Sequence, residues 1–236
     1  MLVAASVALL VIVFLGVFGG IVYWVVVSQK RARAEKQELT LELGFRPVGD
    51  SEAAIAGQIV YLHRSGKATR PYVRNIFKRE DADCEVYLFD LHDGSGQSTD
   101  PLQENGVAVA SSQLGLPRFS VVPKALGSGK LATIANRLLD RFALGNRRTI
   151  PVVSDSQFGQ EYFLAGDRES EVRKVVTDEV LDRIAEKPYR LIEAGGHLLT
   201  YDRIVLDPLG HSSKETEVQQ RVAEALEVFH LLRSRD

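Results

Sequence analysis

Gly127-Ser128-Gly129-Lys130 is the stretch that comes nearest to phosphate chemistry. It follows a strand-like apolar run and precedes a helical one, as a phosphate-binding loop does. The full pattern also needs a glycine five residues before Gly129 and a Ser or Thr after the lysine. Lys124 and Leu131 stand at those places. The hydroxyl that would bind Mg²⁺ and the glycine that would let the loop wrap a phosphate are both missing, so the segment reads as a helix-entry turn.

Asp90-Leu91-His92-Asp93 puts Asp90 and His92 on one strand face, a pairing suited to a metal or to acid–base work. The chain has five histidines, His63, His92, His197, His211 and His230, and none stands in HxH or HExxH spacing. Asp93, Gly94 and Gly96 fall at the wrong offsets for a calcium loop. The segment reads as the solvated end of a hairpin. Cys84 shares a strand face with Val86 and Leu88 and has nothing nearby to lower its pKa, so it reads as a small buried hydrophobe. There is no GxSxG nucleophile elbow. Arg70, Arg74 and Arg147-Arg148 are interleaved with apolar residues and are too few for a nucleic-acid footprint. The residues thus predict no catalytic group, no cofactor and no metal site.

Net charge −2 agrees with the absence of a nucleic-acid surface, and a single cysteine rules out an internal disulfide. The balanced charge hides a segregation. Residues 1–29 contain no Asp, Glu, Lys or Arg, and Leu2 to Val27 is one uncharged run. About 20 apolar residues cross a hydrocarbon core of about 30 Å, so this run predicts a transmembrane helix over 1–29. Tyr23 and Trp24 fall near its end, where amphipathic rings favour the interface. Lys30, Arg31, Arg33 and Lys36 follow at once and act as the topology signal. They place the N-terminus outside and the rest of the chain in the cytoplasm. A cleaved signal peptide would need cations before the run and a shorter apolar core, although Ala32-Arg33-Ala34 mimics a cleavage site. Gly16 and Gly20 form a GxxxG pair, extended by Ala8 and Ala4, which offers a packing face for a homodimer through the span.

Behind the span, residues 30–49 read as a juxtamembrane helix and linker, the helix running from Arg31 to Leu43 and closing at Gly44. Residues 50–236 read as one α+β body. Asp50-Ser51-Glu52 opens a short helix through Ala56, closed by Gly57. Tyr72–Arg79 and Cys84–Leu91 predict a hairpin, and Val107–Ser111 and Phe119–Val122 two more strands. Leu131 to Phe142 has helical spacing. Thr149–Val153 and Glu161–Leu164 are short strands, and Asp167 caps a helix that Pro188 ends. Tyr189–Ala194 and His197–Val205 flank the Gly195-Gly196 turn of a hairpin. Ser212-Ser213-Lys214-Glu215 forms a capping box for a last helix to about Arg233. Its Val218, Val222, Ala225, Phe229 and Leu232 make a seam of two heptads, suited to packing on a sheet. Hairpins outnumber crossovers. The expected architecture is therefore a mainly antiparallel sheet packed with about three to four amphipathic helices behind one transmembrane helix.

Two stretches carry a family likeness. They are Phe158-Gly159-Gln160-Glu161-Tyr162-Phe163-Leu164-Ala165-Gly166-Asp167, followed by Val172-Arg173, and Leu116-Pro117-Arg118-Phe119-Ser120-Val121-Val122-Pro123. In these the chain resembles a group of uncharacterised bacterial proteins with one N-terminal span and a cytosolic α+β domain. The resemblance covers most of residues 35–233. It implies an inner-membrane setting and brings no activity, cofactor or catalytic residue. Phe158, Tyr162 and Leu164 read physically as packing residues.

The expected function is that of a single-pass inner-membrane protein whose cytosolic domain binds another protein as scaffold or regulator. Its partners are the lipid bilayer and that protein, with no nucleic acid. Two alternatives stand beside it. One is an enzyme acting on a membrane-proximal or phosphorylated substrate through Lys130 and the Asp90/His92 region. The other is a self-associating structural protein using Gly16, Gly20 and the last helix.

Overall fold

The computed structural model describes residues 38, 40–49, 53–63, 71–93, 103–124, 147–187, 190–203 and 214–233. The span over 1–29 with Gly16 and Gly20, the cations Lys30, Arg31, Arg33 and Lys36, the Gly127–Lys130 turn, the 131–142 helix and the Ser212-Ser213 cap lie outside the described residues. Among the described residues, no helix is long and apolar enough to cross a membrane.

The chain forms two compact units, Met1–Phe45 and Arg46–Asp236. In the first, residues 40–42 are helical. The helix ends as the sequence predicts. Gly44 adopts φ 80°, and its N–H donates to Leu41 O at 3.0 Å while Phe45 N–H donates to Thr40 O at 3.1 Å. That pair of bonds satisfies carbonyls the helix leaves open, and it needs a left-handed residue that only glycine adopts cheaply.

The second unit is built on nine strands, β1 (Arg46–Pro47), β2 (Pro71–Glu80), β3 (Glu85–Asp93), β4 (Gln103–Ala110), β5 (Leu116–Pro123), β6 (Arg148–Ile150), β7 (Tyr162–Gly166), β8 (Arg190–Gly196) and β9 (Leu198–Arg203). They form one sheet in the order β1-β2-β3-β4-β9-β8-β5-β7-β6. Every pairing is antiparallel, as the hairpin-rich sequence predicts. The β8–β9 hairpin is inserted between β4 and β5. The connection from β4 to β5 therefore passes its turn, where Ser111 N–H donates to His197 O at 3.0 Å. The hairpin turn is Gly196-His197, one residue later than the sequence suggests, since Gly195 pairs with Leu198. Gly196 has φ 63°, the conformation a type II′ turn needs at its first central position.

Five helices are described in this unit: α1 (Ala53–His63), α2 (Gln157–Glu161), α3 (Glu169–Val175), α4 (Asp178–Ala185) and α5 (Lys214–Leu232). That exceeds the three to four expected for two reasons: α2 forms where the sequence signals no helix, and one predicted helix is divided. The helix expected to run from Asp167 to Pro188 is two helices. α3 starts after Arg168, not at an Asp167 cap. It stops at Val176, and the Thr177 hydroxyl accepts from Val180 N to open α4. A cap residue in mid-pattern breaks the helix even though the apolar period continues across it. α1 likewise runs through Gly57, because Ile55, Ile59 and Leu62 share one face and are buried on the sheet. Packing outweighs the roughly 1 kcal/mol that a mid-helix glycine costs.

Alternation along the strands gives the sheet two apolar faces, as expected for central strands. Tyr87, Phe89, Leu91, Ala108 and Leu198 meet α1 on one face. Val86, Leu88, Val107, Val109 and Leu199 are buried on the other. There α5 packs on β4 and β9. Its whole predicted seam, Val218, Val222, Ala225, Phe229 and Leu232, is buried. The sheet ends in very short strands at both edges, β1 with Pro47 and β6 with Pro151 next in sequence, which limits edge-to-edge pairing.

Candidate functional site

Asp90 and His92 do share a strand face, and both are buried, not solvated. Asp90 sits where the ladder slips on both sides of β3, between Arg74 and Phe77 on β2 and opposite the Phe89–Leu91 irregularity on β4. Its Oδ2 accepts from Asn75 Nδ2 at 2.7 Å and its Oδ1 from Asn105 N–H at 3.1 Å. Asn75 and Asn105 are the two non-glycine residues at positive φ among the described residues, 51° and 54°. The carboxylate therefore braces two bulges. The His92 ring stacks on Tyr72 at 5.1 Å. The structure thus gives these two residues separate partners. Cys84 is buried as expected. Burial, then the charges of Asp81 and Asp83, push its thiol pKa up, so it stays protonated.

The most concentrated charge lies elsewhere, at the C-terminal end of α1. His63 Nδ1 is bound to Glu193 Oε2, and Arg147 Nη1 donates to Glu193 Oε1 at 2.8 Å. All three side chains are buried. Arg147 Nη2 also donates to Leu62 O, and Arg118 Nη2 donates to Tyr61 O at 2.9 Å while its guanidinium lies 4.4 Å over the Tyr61 ring. Two arginines thus satisfy the last carbonyls of α1, where the helix dipole also favours positive charge. Glu193 stands on β8 directly between Ser120 of β5 and Thr200 of β9. Burial alone would raise the Glu193 pKa. The charge and hydrogen bond of His63, joined by Arg147, outweigh it and hold the carboxyl below the usual range.

An imidazole held at Nδ1 by a carboxylate is the arrangement that orients a general base. Here Nε2 is buried without a hydrogen-bond partner, and so are Arg147 Nε and Ser120 Oγ. The network ties α1 to the sheet. Sequence spacing could not reveal it, because its members lie on separate segments. The one signal is a glutamate at position 193 flanked by Leu191, Ile192 and Ala194.

A second network closes the opposite face. Arg190 is fully buried. Its Nη2 donates to Glu227 Oε2 at 3.2 Å, and Lys187 Nζ reaches the same oxygen at 2.5 Å. Burial raises the Glu227 pKa, but Lys187 and Arg190 together bring it below the usual carboxylate range. The Tyr162 hydroxyl donates to Lys187 O at 2.7 Å and accepts from Arg190 N–H at 3.2 Å. Burial pushes its phenol pKa up. Phe158 stacks on Tyr162 at 5.2 Å, and Phe158, Tyr162 and Leu164 are wholly buried. These are packing residues, as their types predict. Among the described residues, no three His, Cys, Asp or Glu side chains gather as a metal site would.

Fold and networks together define an α+β protein, an antiparallel sheet with helices braced to it by ion pairs, those of Glu193 buried and those of Glu227 partly so. No protein-family model matches the chain, and no curated protein matches it. Among solved structures it is similar to the crystal structure of the mycobacterial trehalose monomycolate transport factor A, TtfA, at a TM-score of 0.48 and 10% identity, over 84% of this chain and 92% of that one.

Proposed function

We propose that the chain is a membrane-anchored binding module. Residues 1–29 are its transmembrane helix with the N-terminus outside, 30–49 a juxtamembrane helix and linker, and 50–236 a cytosol-facing body that serves a protein partner as scaffold or regulator. Gly16 and Gly20 give the span a face for a second copy. The uncharged run and the four cations behind it support the anchor and its direction. The observation that carries the binding role is the use made of ion pairs. Glu193 on β8 is committed to His63 and Arg147, and the half-buried Glu227 on α5 to Lys187 and the buried Arg190 of β8, so each acid ties a helix to the sheet. Such braces yield a rigid platform, and rigidity lowers the entropic cost of binding.

The test uses the full chain with a reporter at Asp236 that is active on one side of the membrane only, expressed in a bacterial host and treated with a cleavable cross-linker. A cytosolic reporter, membrane retention and a discrete heavier species are the expected result. A translocated reporter, loss of the first residues from the mature chain, or a chain that stays at monomer mass at every cross-linker dose overturns the reading.

A further inference from the structure

α1 differs from the other long helices in what it shows to water. Its eleven residues contain no Lys, Arg, Asp or Glu. α4 exposes Asp178, Glu179, Asp182 and Arg183. α5 exposes Gln219, Gln220, Ala223 and His230, with Glu217, Arg221 and Glu227 half-buried beside them. On α1, Ile55, Ile59 and Leu62 face the sheet, which leaves Ala54, Gly57, Gln58 and Tyr61 exposed. Tyr61 is 57% exposed, and Arg118 lies against its ring. An uncharged helix face ending in a tyrosine and an arginine has the composition of a surface that meets lipid headgroups, where amphipathic rings and long cationic stems are both at home.

Two features point to lipid as the occupant. Residues 30–52 are all that separates α1 from the uncharged run. Even fully extended, at about 3.3–3.6 Å per residue, such a linker reaches on the order of 80 Å, so α1 is confined to the neighbourhood of the bilayer. Contact is then intramolecular in effect, and a weak surface suffices. Charge agrees: residues 64–70, directly after α1, have Arg64, Lys67 and Arg70 and no acid, while Lys78 and Arg79 further on are paired with Glu80, Glu85 and Asp81. The 64–70 stretch favours an anionic leaflet. We propose that the α1 face of Ala54, Gly57, Gln58 and Tyr61, with Arg118 at its rim, lies on the anionic leaflet of the membrane that holds residues 1–29. The body is thereby docked on the bilayer. This rests on the anchor proposed above.

The test places a fluorophore on Gln58→Cys in the full chain, with Arg183→Cys on exposed α4 as control and Cys84→Ala in both. The chains are reconstituted into vesicles of phosphatidylcholine, or of phosphatidylcholine with one-third phosphatidylglycerol, carrying a lipid-borne spin-label quencher. The position 58 probe is expected to lose at least half its emission in the anionic vesicles and to recover it in high salt, while the position 183 probe stays bright. Ala54→Glu, on the solvent side of α1, should restore emission at 58, and Ala54→Lys should not. Equal emission at 58 and 183 in anionic vesicles overturns the docking. So does a position 58 probe that is shielded in native membranes from a water-soluble quencher but not reached by the lipid-borne one, since a protein would then cover the face. Flotation reads the anchor separately. A chain that fails to float with zwitterionic vesicles defeats the anchor, and quenching at 58 in anionic vesicles would then sustain the docking alone.

Discussion

Arg147 Nη1 lies 2.8 Å from Glu193 Oε1 across 46 residues of sequence, and both side chains are buried. The same guanidinium bonds Leu62 O on α1, so a single arginine joins the helix to the strand. Removing one member of a buried ion network leaves the others without compensation, typically at about 3–5 kcal/mol. Glu193→Gln keeps the shape but leaves Arg147 and His63 facing a neutral amide. The expected result is a loss near the low end of that range in urea unfolding of the detergent-solubilised chain, followed by near-ultraviolet circular dichroism. Glu193→Gln with Arg147→Met should recover part of it. A Glu193→Gln midpoint equal to that of the parent would show that the charge does not brace α1.

The same residue sets an acid sensitivity of definite sign. The Glu193 carboxyl is held below its usual pKa in the folded chain, and Glu227 shares the direction. The unfolded chain therefore binds protons first as pH falls. Stability from these groups is fully present above the ordinary carboxylate value, about 4.3, and is lost as pH drops below it toward the lowered values. The stability gap between the parent and Glu193→Gln should be widest above about pH 5 and narrow steadily toward about pH 3. A gap that widens on acidification would reverse the assigned direction.

Gly159 tests the packing role of the Phe158–Asp167 stretch. A Cβ there would collide with the carbonyl of Val153, a backbone atom that cannot rotate away. The Ser156 hydroxyl, which accepts from Gly159 N–H at 3.0 Å, fixes the same turn. Gly159→Ala should cost about 1–3 kcal/mol, the usual penalty of overpacking. Gly57→Ala offers the contrast. Nothing lies within 4 Å of its added Cβ, and alanine favours the helix. That change should raise the midpoint slightly. Melting temperatures of the two variants, read side by side, decide the matter. A neutral Gly159→Ala would mean that the turn after Val153 can yield.

What the sequence made legible follows from period and punctuation. The alternation in Tyr72–Arg79 and Cys84–Leu91 located β2 and β3, Gly44 located a helix end, and the Gly195-Gly196 pair located the β8–β9 hairpin within one residue. These signals are local. Thr177 was harder to read because its capping role competes with an apolar period that runs unbroken from Val172 to Ile184. The insertion of β9 and β8 between β4 and β5 is a pairing between distant segments, which no local pattern records. The Glu193 network is of the same kind. His63, Arg147 and Glu193 meet only because α1 and β8 are brought together, and a buried glutamate looks in sequence like a solvated one.

Asp90 is where a residue picked out for chemistry proves to carry backbone geometry, and three substitutions separate its parts. Asn105 uses only its backbone N–H on Asp90, so Asn105→Gly keeps that bond and relieves a left-handed φ. It should be neutral or stabilising by up to about 1 kcal/mol. Asn75 gives its side chain to the carboxylate at 2.7 Å. Asn75→Gly loses a bond to a charged acceptor, worth about 1.5–3 kcal/mol, and regains part of it through the same relief. Asp90→Ala releases both bulges and leaves a buried β3 site unfilled, so it should cost more than Asn75→Gly. Urea midpoints should therefore rank Asn105→Gly highest, then Asn75→Gly, then Asp90→Ala. Hydrogen exchange should show Asn105 N–H losing protection in Asp90→Ala and keeping it in Asn75→Gly. If Asn75→Gly proves as damaging as Asp90→Ala, the β2 bulge alone bears the load and the bond to Asn105 adds nothing.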